Sequence, residues 1–120
     1  MLKNALIVGL GGALGTILRF LISHATKNIS PYWLTLFINL AGCFLIGLLF
    51  GLFKTNELGP TEKLFLTTGF CGGFTTFSAF SIENIQLMQE GKYLIALLYI
   101  TLSIMGGFML TFVGYKLIHS

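Results

Sequence analysis

The run Gly69-Phe70-Cys71-Gly72-Gly73-Phe74-Thr75-Thr76-Phe77-Ser78-Ala79-Phe80-Ser81 concentrates the chemistry of this chain. It lies inside an apolar segment long enough to cross a bilayer. Three glycines and a Thr-Thr pair make a poor continuous helix. Lipid offers backbone N–H and C=O groups no partner. Non-helical backbone at membrane depth is therefore confined to places buried in protein or lining a cavity. Phe77 and Phe80 follow three residues apart, with Ser81 on the same helical face. A broken helix ahead of a phenyl-and-hydroxyl face points to an ion pathway more than to a membrane anchor. Ordinary packing of the two rings is the alternative, and the adjacent break and hydroxyls weigh against it.

Other polar residues inside apolar segments have two readings each. Asn39 is either interhelical glue or an amide whose N–H groups face a pore. Thr35 lies one turn before it and Gly42 one turn after. Arg19 either snorkels to the interface or is a buried cation that shapes a vestibule and attracts an anion. Tyr99, Ser103, Gly106 and Gly107 recur at helical spacing. Ser103 either back-bonds to its own helix or joins a narrow polar track. Glu83 is the only deep acid, near the end of its segment. Cys43 and Cys71 lack metal-ligand spacing and read as small apolar fillers.

The elements that must position these residues follow from composition. The chain has 120 residues, is 55% hydrophobic and is only 9% charged. Soluble domains carry roughly a quarter charged residues. A membrane helix needs about 20 mostly apolar residues, and four such segments fit, at 4–24, 33–53, 62–89 and 93–117. The reading is an all-α membrane protein of four transmembrane helices, the third broken over Gly69 to Thr76, forming one domain over 1–120. The first segment is too long for a secretory signal and contains Arg19. No room is expected for an aqueous domain or a nucleotide site. No nucleophile–base pair or metal cluster suggests an enzyme.

Net charge is +3. The lysines flank the segments, where they snorkel, so membrane lipid and not nucleic acid is the expected partner. Lys3, Lys54, Lys63 and Lys116 fall on one side. Lys27 and Lys92 fall on the other, with Arg19 near that end. So weak a bias sets orientation poorly. Either both orientations insert, which is the reading taken, or a short chain simply has few charges. In the first segment Gly9, Gly12, Thr16 and Arg19 share a face, and Gly11 and Gly15 share another. Gly47 and Gly51 repeat the small-xxx-small pattern in the second. Such residues let helices approach closely in lipid.

Together these residues resemble the small bacterial fluoride-channel family known as Fluc or CrcB. The resemblance spans the whole chain. It rests on Gly11-Gly12-Ala13-Leu14-Gly15 with Arg19, on Asn39-Leu40-Ala41-Gly42-Cys43-Phe44 with Gly47, and above all on the 69–81 run. It implies an antiparallel, dual-topology homodimer with two fluoride pores in the bacterial cytoplasmic (inner) membrane. It implies a structural sodium ion, Na+, at the dimer centre, held by the main-chain carbonyls of Gly72 and Thr75. Phe77 and Phe80 then correspond to ring edges facing fluoride. Asn39 corresponds to the pore amide and Tyr99 to a tyrosine near the pore. Ser81 and Ser103 continue a hydroxyl track, and Arg19 and Glu83 stand at a vestibule. Ala79 departs from the pattern, which commonly has threonine there, so Ser78, Ser81 or water must replace that hydroxyl.

Two rivals make different demands. A small four-span, dual-topology multidrug or cation transporter needs a membrane carboxylate for proton exchange, and the first segment has none. A non-transporting scaffold predicts no flux from purified protein.

Overall fold

The computed structural model describes residues 1–55 and 58–119. Among them every regular element is helical. Helix α1 (Leu2–Ala25) and helix α2 (Pro31–Lys54) come first in the chain. The third segment runs α3 (Pro60–Lys63), a π-helix (Leu64–Cys71), α4 (Gly72–Phe74) and α5 (Phe77–Gln89), and α6 (Tyr93–His119) closes the chain. Helices α1, α2 and α6 are each long and apolar enough to cross a membrane. The 24 residues of α1 span roughly 36 Å at about 1.5 Å per residue, against a hydrocarbon core of ~30 Å. Their ends lie within a few residues of the expected ones.

Local chemistry sets the boundaries. Proline stands at the start of both α2 and α3, where the missing N–H costs nothing. The Glu62 carboxylate accepts from the Gly59 N–H at 2.7 Å and closes the α3 start. Between α5 and α6, Gly91 adopts φ 77°. Its N–H reaches the Met88 carbonyl and the Lys92 N–H reaches Leu87. This double closure needs a left-handed residue, which glycine supplies without strain. Lys92 then pairs with Glu90 at 3.2 Å on the surface.

The third segment is interrupted more narrowly than expected. Gly69, Gly72 and Gly73 stay helical, and only Thr75 and Thr76 leave the helix, both extended (ψ 156° and 114°). Two threonine hydroxyls bond back within the first half. Thr67 Oγ1 donates to the Lys63 carbonyl at 2.5 Å, and Thr75 Oγ1 donates to Cys71 at 2.8 Å. Such bonds take part of the carbonyl that an α-helical N–H would use.

The glycines serve packing instead. Helix α1 lies on the π-helix and α4 along a seam of bare backbone. A Cβ at Gly11 would meet the Phe65 carbonyl, and one at Gly15 would lie 2.7 Å from the Phe74 nitrogen. From the other side, a Cβ at Gly73 would enter the Gly12 backbone. Helices α2 and α6 pair the same way, Gly47 against the Thr111 backbone and Gly114 against Phe44 and Leu48. Thr111 Oγ1 ties that pair by donating to the Cys43 carbonyl at 2.9 Å. Gly9 meets nothing within 4 Å, so only part of the first glycine face is used. Two buried clusters fill the rest. One joins Leu34, Ile38 and Phe74, and the other joins Leu87, Ala96 and Tyr99. Large apolar side chains such as Leu10, Phe20, Leu97 and Phe108 cover the outside. That surface suits lipid, not water.

Candidate functional site

A helix that stops inside a bundle frees backbone groups, and the neighbouring helices here collect them. Asn39, midway along α2, uses both ends of its amide on one residue of the break. Its Nδ2 donates to the Thr76 carbonyl at 3.1 Å, and its Oδ1 accepts from the Thr76 N–H at 2.8 Å. The side chain replaces the helical partners that Thr76 lost, and one Nδ2 hydrogen remains for something else. Thr76 Oγ1 accepts from the Ala79 N–H at 3.2 Å and starts α5 as an N-cap. Ser78 Oγ stands 3.2 Å from the same oxygen. Thus Ala79 takes part through its backbone.

On the other flank, the Gly73 carbonyl receives Arg19 Nε and Thr16 Oγ1, each at 3.3 Å. Arg19 therefore caps the C-terminal end of a helix, where a cation opposes the dipole. No hydrogen bond among the described residues reaches the carbonyl oxygens of Gly72 or Thr75. Those two are hard oxygen donors left over at a break, a donor set that fits a hard cation.

Beside the break opens a cavity of about 490 Å³. Asn39, Gly72, Thr75, Phe77, Phe80 and Ser103 all line it, and its described lining carries no charged side chain. Ser103 Oγ is buried and has no hydrogen-bond partner among the described residues. Phe77 remains 78% exposed. Its ring meets Phe80 at 5.5 Å, and Phe80 meets Tyr99 edge-on at 4.9 Å and 68°. Tyr99 continues to Tyr32 at 6.1 Å. The rings form a ladder from the cavity towards the 26–30 and 90–92 turns.

At that end of the ladder stands Glu83. Tyr99, fully buried, donates its hydroxyl to Glu83 Oε1 at 2.8 Å, and Thr35 donates to Oε2 at 2.9 Å. The carboxylate is thus held from α2 and α6 at once. It also borders two smaller cavities of about 270 Å³ each, one beside Lys92 and the other beside Lys27.

The expected residues separate into groups. Asn39, Phe77, Phe80 and Ser103 share the cavity with Gly72 and Thr75. Tyr99 and Glu83 lie beyond the rings, and Arg19 lies behind the break. Ser81 is exposed and borders none of these three cavities. Sequence reading passed over Thr35 and Thr16 as site residues. Helical spacing gave a signal for both, since Thr35 is one turn from Asn39 and Thr16 one turn from Arg19.

Residues 6–115 match the family described as CrcB-like protein, Camphor Resistance (CrcB). The chain belongs to the CrcB family. Curated relatives carry the name "Fluoride-specific ion channel FluC". The one from Azobacteroides pseudotrichonymphae is 49% identical over 121 residues, covering 98% of this chain and 97% of the relative. That from Flavobacterium psychrophilum is 51% identical over 118 residues, 94% of each chain. That from Leptospira interrogans is 42% identical over 120 residues, covering 97% and 94%. With three apolar helices of spanning length, this CrcB family member is a multi-pass membrane protein.

Proposed function

We propose that this chain forms a fluoride-selective channel that lets fluoride leave the cytoplasm passively across the bacterial inner membrane. The observation that carries this reading is the uncharged cavity beside the helix break, lined by Asn39, Phe77, Phe80 and Ser103. The family membership and the names of the relatives point the same way. Fluoride is small and strongly hydrated, so a dry path must replace its water with short-range donors. The free Nδ2 hydrogen of Asn39 and the unpartnered Ser103 hydroxyl are such donors. An aromatic edge is the positive part of the ring quadrupole, so Phe77 and Phe80 face an anion without carrying charge. Full positive charge would bind too tightly, because conduction requires that the ion can leave. Larger chloride is excluded where the two rings narrow the path.

The working form is an antiparallel homodimer, four spans per subunit, with two pores. An exposed Phe77 beside an open cavity suits a wall completed by a second copy. The Gly72 and Thr75 carbonyls of both subunits hold sodium. Bound there, the ion supplies the positive charge that these carbonyls otherwise lack. Tyr99 and Glu83 stand at the mouth, with Arg19 bracing the break, and Ser81 reaches the path only from outside the single-chain cavity.

The test is anion efflux from liposomes containing only the purified protein, with chloride as control and Asn39→Ala and Phe80→Ile beside the wild type. Fast fluoride loss with little chloride loss, impaired in both variants, is expected. No flux from a folded dimer would refute the reading.

A further inference from the structure

The two cysteines are the only thiols in the chain, and both line the cavity beside the break. They come from different elements, Cys43 from α2 and Cys71 from the π-helix. Neither is in a disulfide. Direct contacts bring their two stretches of backbone together. A Cβ on Gly42, the neighbour of Cys43, would strike the Thr75 methyl, and Thr75 is bonded to the Cys71 carbonyl through both its N–H and its hydroxyl. Cys43 Sγ lies against α6, 3.2 Å from where a Cβ on Gly107 would sit. Among the described residues the wall offers no carboxylate and no imidazole. Hard cations therefore find only hydroxyls, an amide and carbonyls there, whereas a soft cation finds two sulfurs.

We propose that Cys43 and Cys71 form a two-thiol site for a soft, two-coordinate cation of the Hg(II), Ag(I) or Cu(I) class. With mercuric chloride, each thiol gives its proton to solvent and forms one S–Hg bond. Both chlorides leave, and neither sulfur nor mercury changes oxidation state. Thiols must lose their protons to bind, so uptake releases two protons per site. Mercuric chloride is neutral and enters an apolar, uncharged cavity without an ion's desolvation cost. A cation held between α2 and the π-helix occupies the space that Asn39, Phe80 and Ser103 also face. It therefore obstructs that space, and this consequence rests on the channel reading above.

The experiment uses the whole chain in lipid vesicles, treated with mercuric chloride and freed of excess reagent. Denaturing mass spectrometry and a thiol titration are then read on the same sample. One mercury per chain with both thiols consumed is the expected result. Two mercuries per chain, or any thiol still titratable, would overturn the proposal. Cys43→Ser and Cys71→Ser should each lose the metal to a monothiol wash that the wild type withstands, and equal retention would also overturn it. In the flux arm, fluoride efflux of the wild type falls to the level of protein-free vesicles, and the double serine variant is unaffected. Conduction that survives bound mercury would refute the obstruction. A wild type that never conducted would refute the channel reading instead, with the mass and thiol results still deciding the site.

Discussion

Replacing Asn39 by leucine keeps the branch at Cγ and removes every polar contact it makes. Two hydrogen bonds are lost, at 3.1 and 2.8 Å, both to Thr76. Each is worth about 1 kcal/mol net, but the backbone N–H and C=O left behind have no substitute partner, and each orphaned group costs roughly 1–3 kcal/mol. Membrane measurements pull the figure down, because the unfolded chain in lipid also finds partners, leaving about 0.6 kcal/mol per bond. The expected loss therefore lies between about 1 and 6 kcal/mol. Asn39→Ala should lose somewhat more, since it adds a void. The assay is reversible unfolding in mixed micelles, followed through the fluorescence of Trp33. Flux measured on the folded fraction then separates stability from conduction. If Asn39→Leu were as stable as wild type within about 0.5 kcal/mol, the amide would not be holding the break. The account of how Thr75 and Thr76 can be non-helical inside the bundle would then fail.

Three further outcomes follow from the geometry. Gly73→Ala places a Cβ into the Gly12 backbone and should cost about 1–3 kcal/mol by overpacking. Gly9→Ala meets open space and should cost nothing, gaining up to about 1 kcal/mol of helix propensity in the same unfolding assay; equal losses would refute the seam. Thr35→Val and Tyr99→Phe each remove one donor to Glu83 and should each cost about 1 kcal/mol. The double variant should cost less than the sum, because a released carboxylate can turn to water in the side cavities; strict additivity in a double-mutant cycle would refute a shared clamp. Phe80→Ile removes the ring contacts to Phe77 and Tyr99 and should abolish most fluoride flux while the protein stays folded; undiminished flux would refute a ring-lined path.

Legibility of this fold depended on what kind of signal each residue sends. Helix α1, α2 and α6 were readable because lipid demands long apolar runs, and the boundaries fell where proline, lysine and glycine stop them. The break was readable as a region but not as two residues. Gly69, Gly72 and Gly73 advertise a weak helix, yet in the structure Gly69 and Gly73 serve the α1 seam. Glycine has two uses, freedom of backbone and absence of a side chain, and composition does not separate them. The π-helix had no sequence signal at all. It follows from back-bonding and packing, which one strand of text does not record. Asn39 shows the same limit at the site. Its type announced either glue or a pore amide, and the geometry makes the two compatible: Oδ1 and one Nδ2 hydrogen hold Thr76, and the second hydrogen is left over. A residue fixed by the break is a better ion donor than a free one, since its orientation costs nothing when the ion arrives. The helix break and the candidate pore are therefore one construction, in which the side chain that repairs the backbone also lines the cavity.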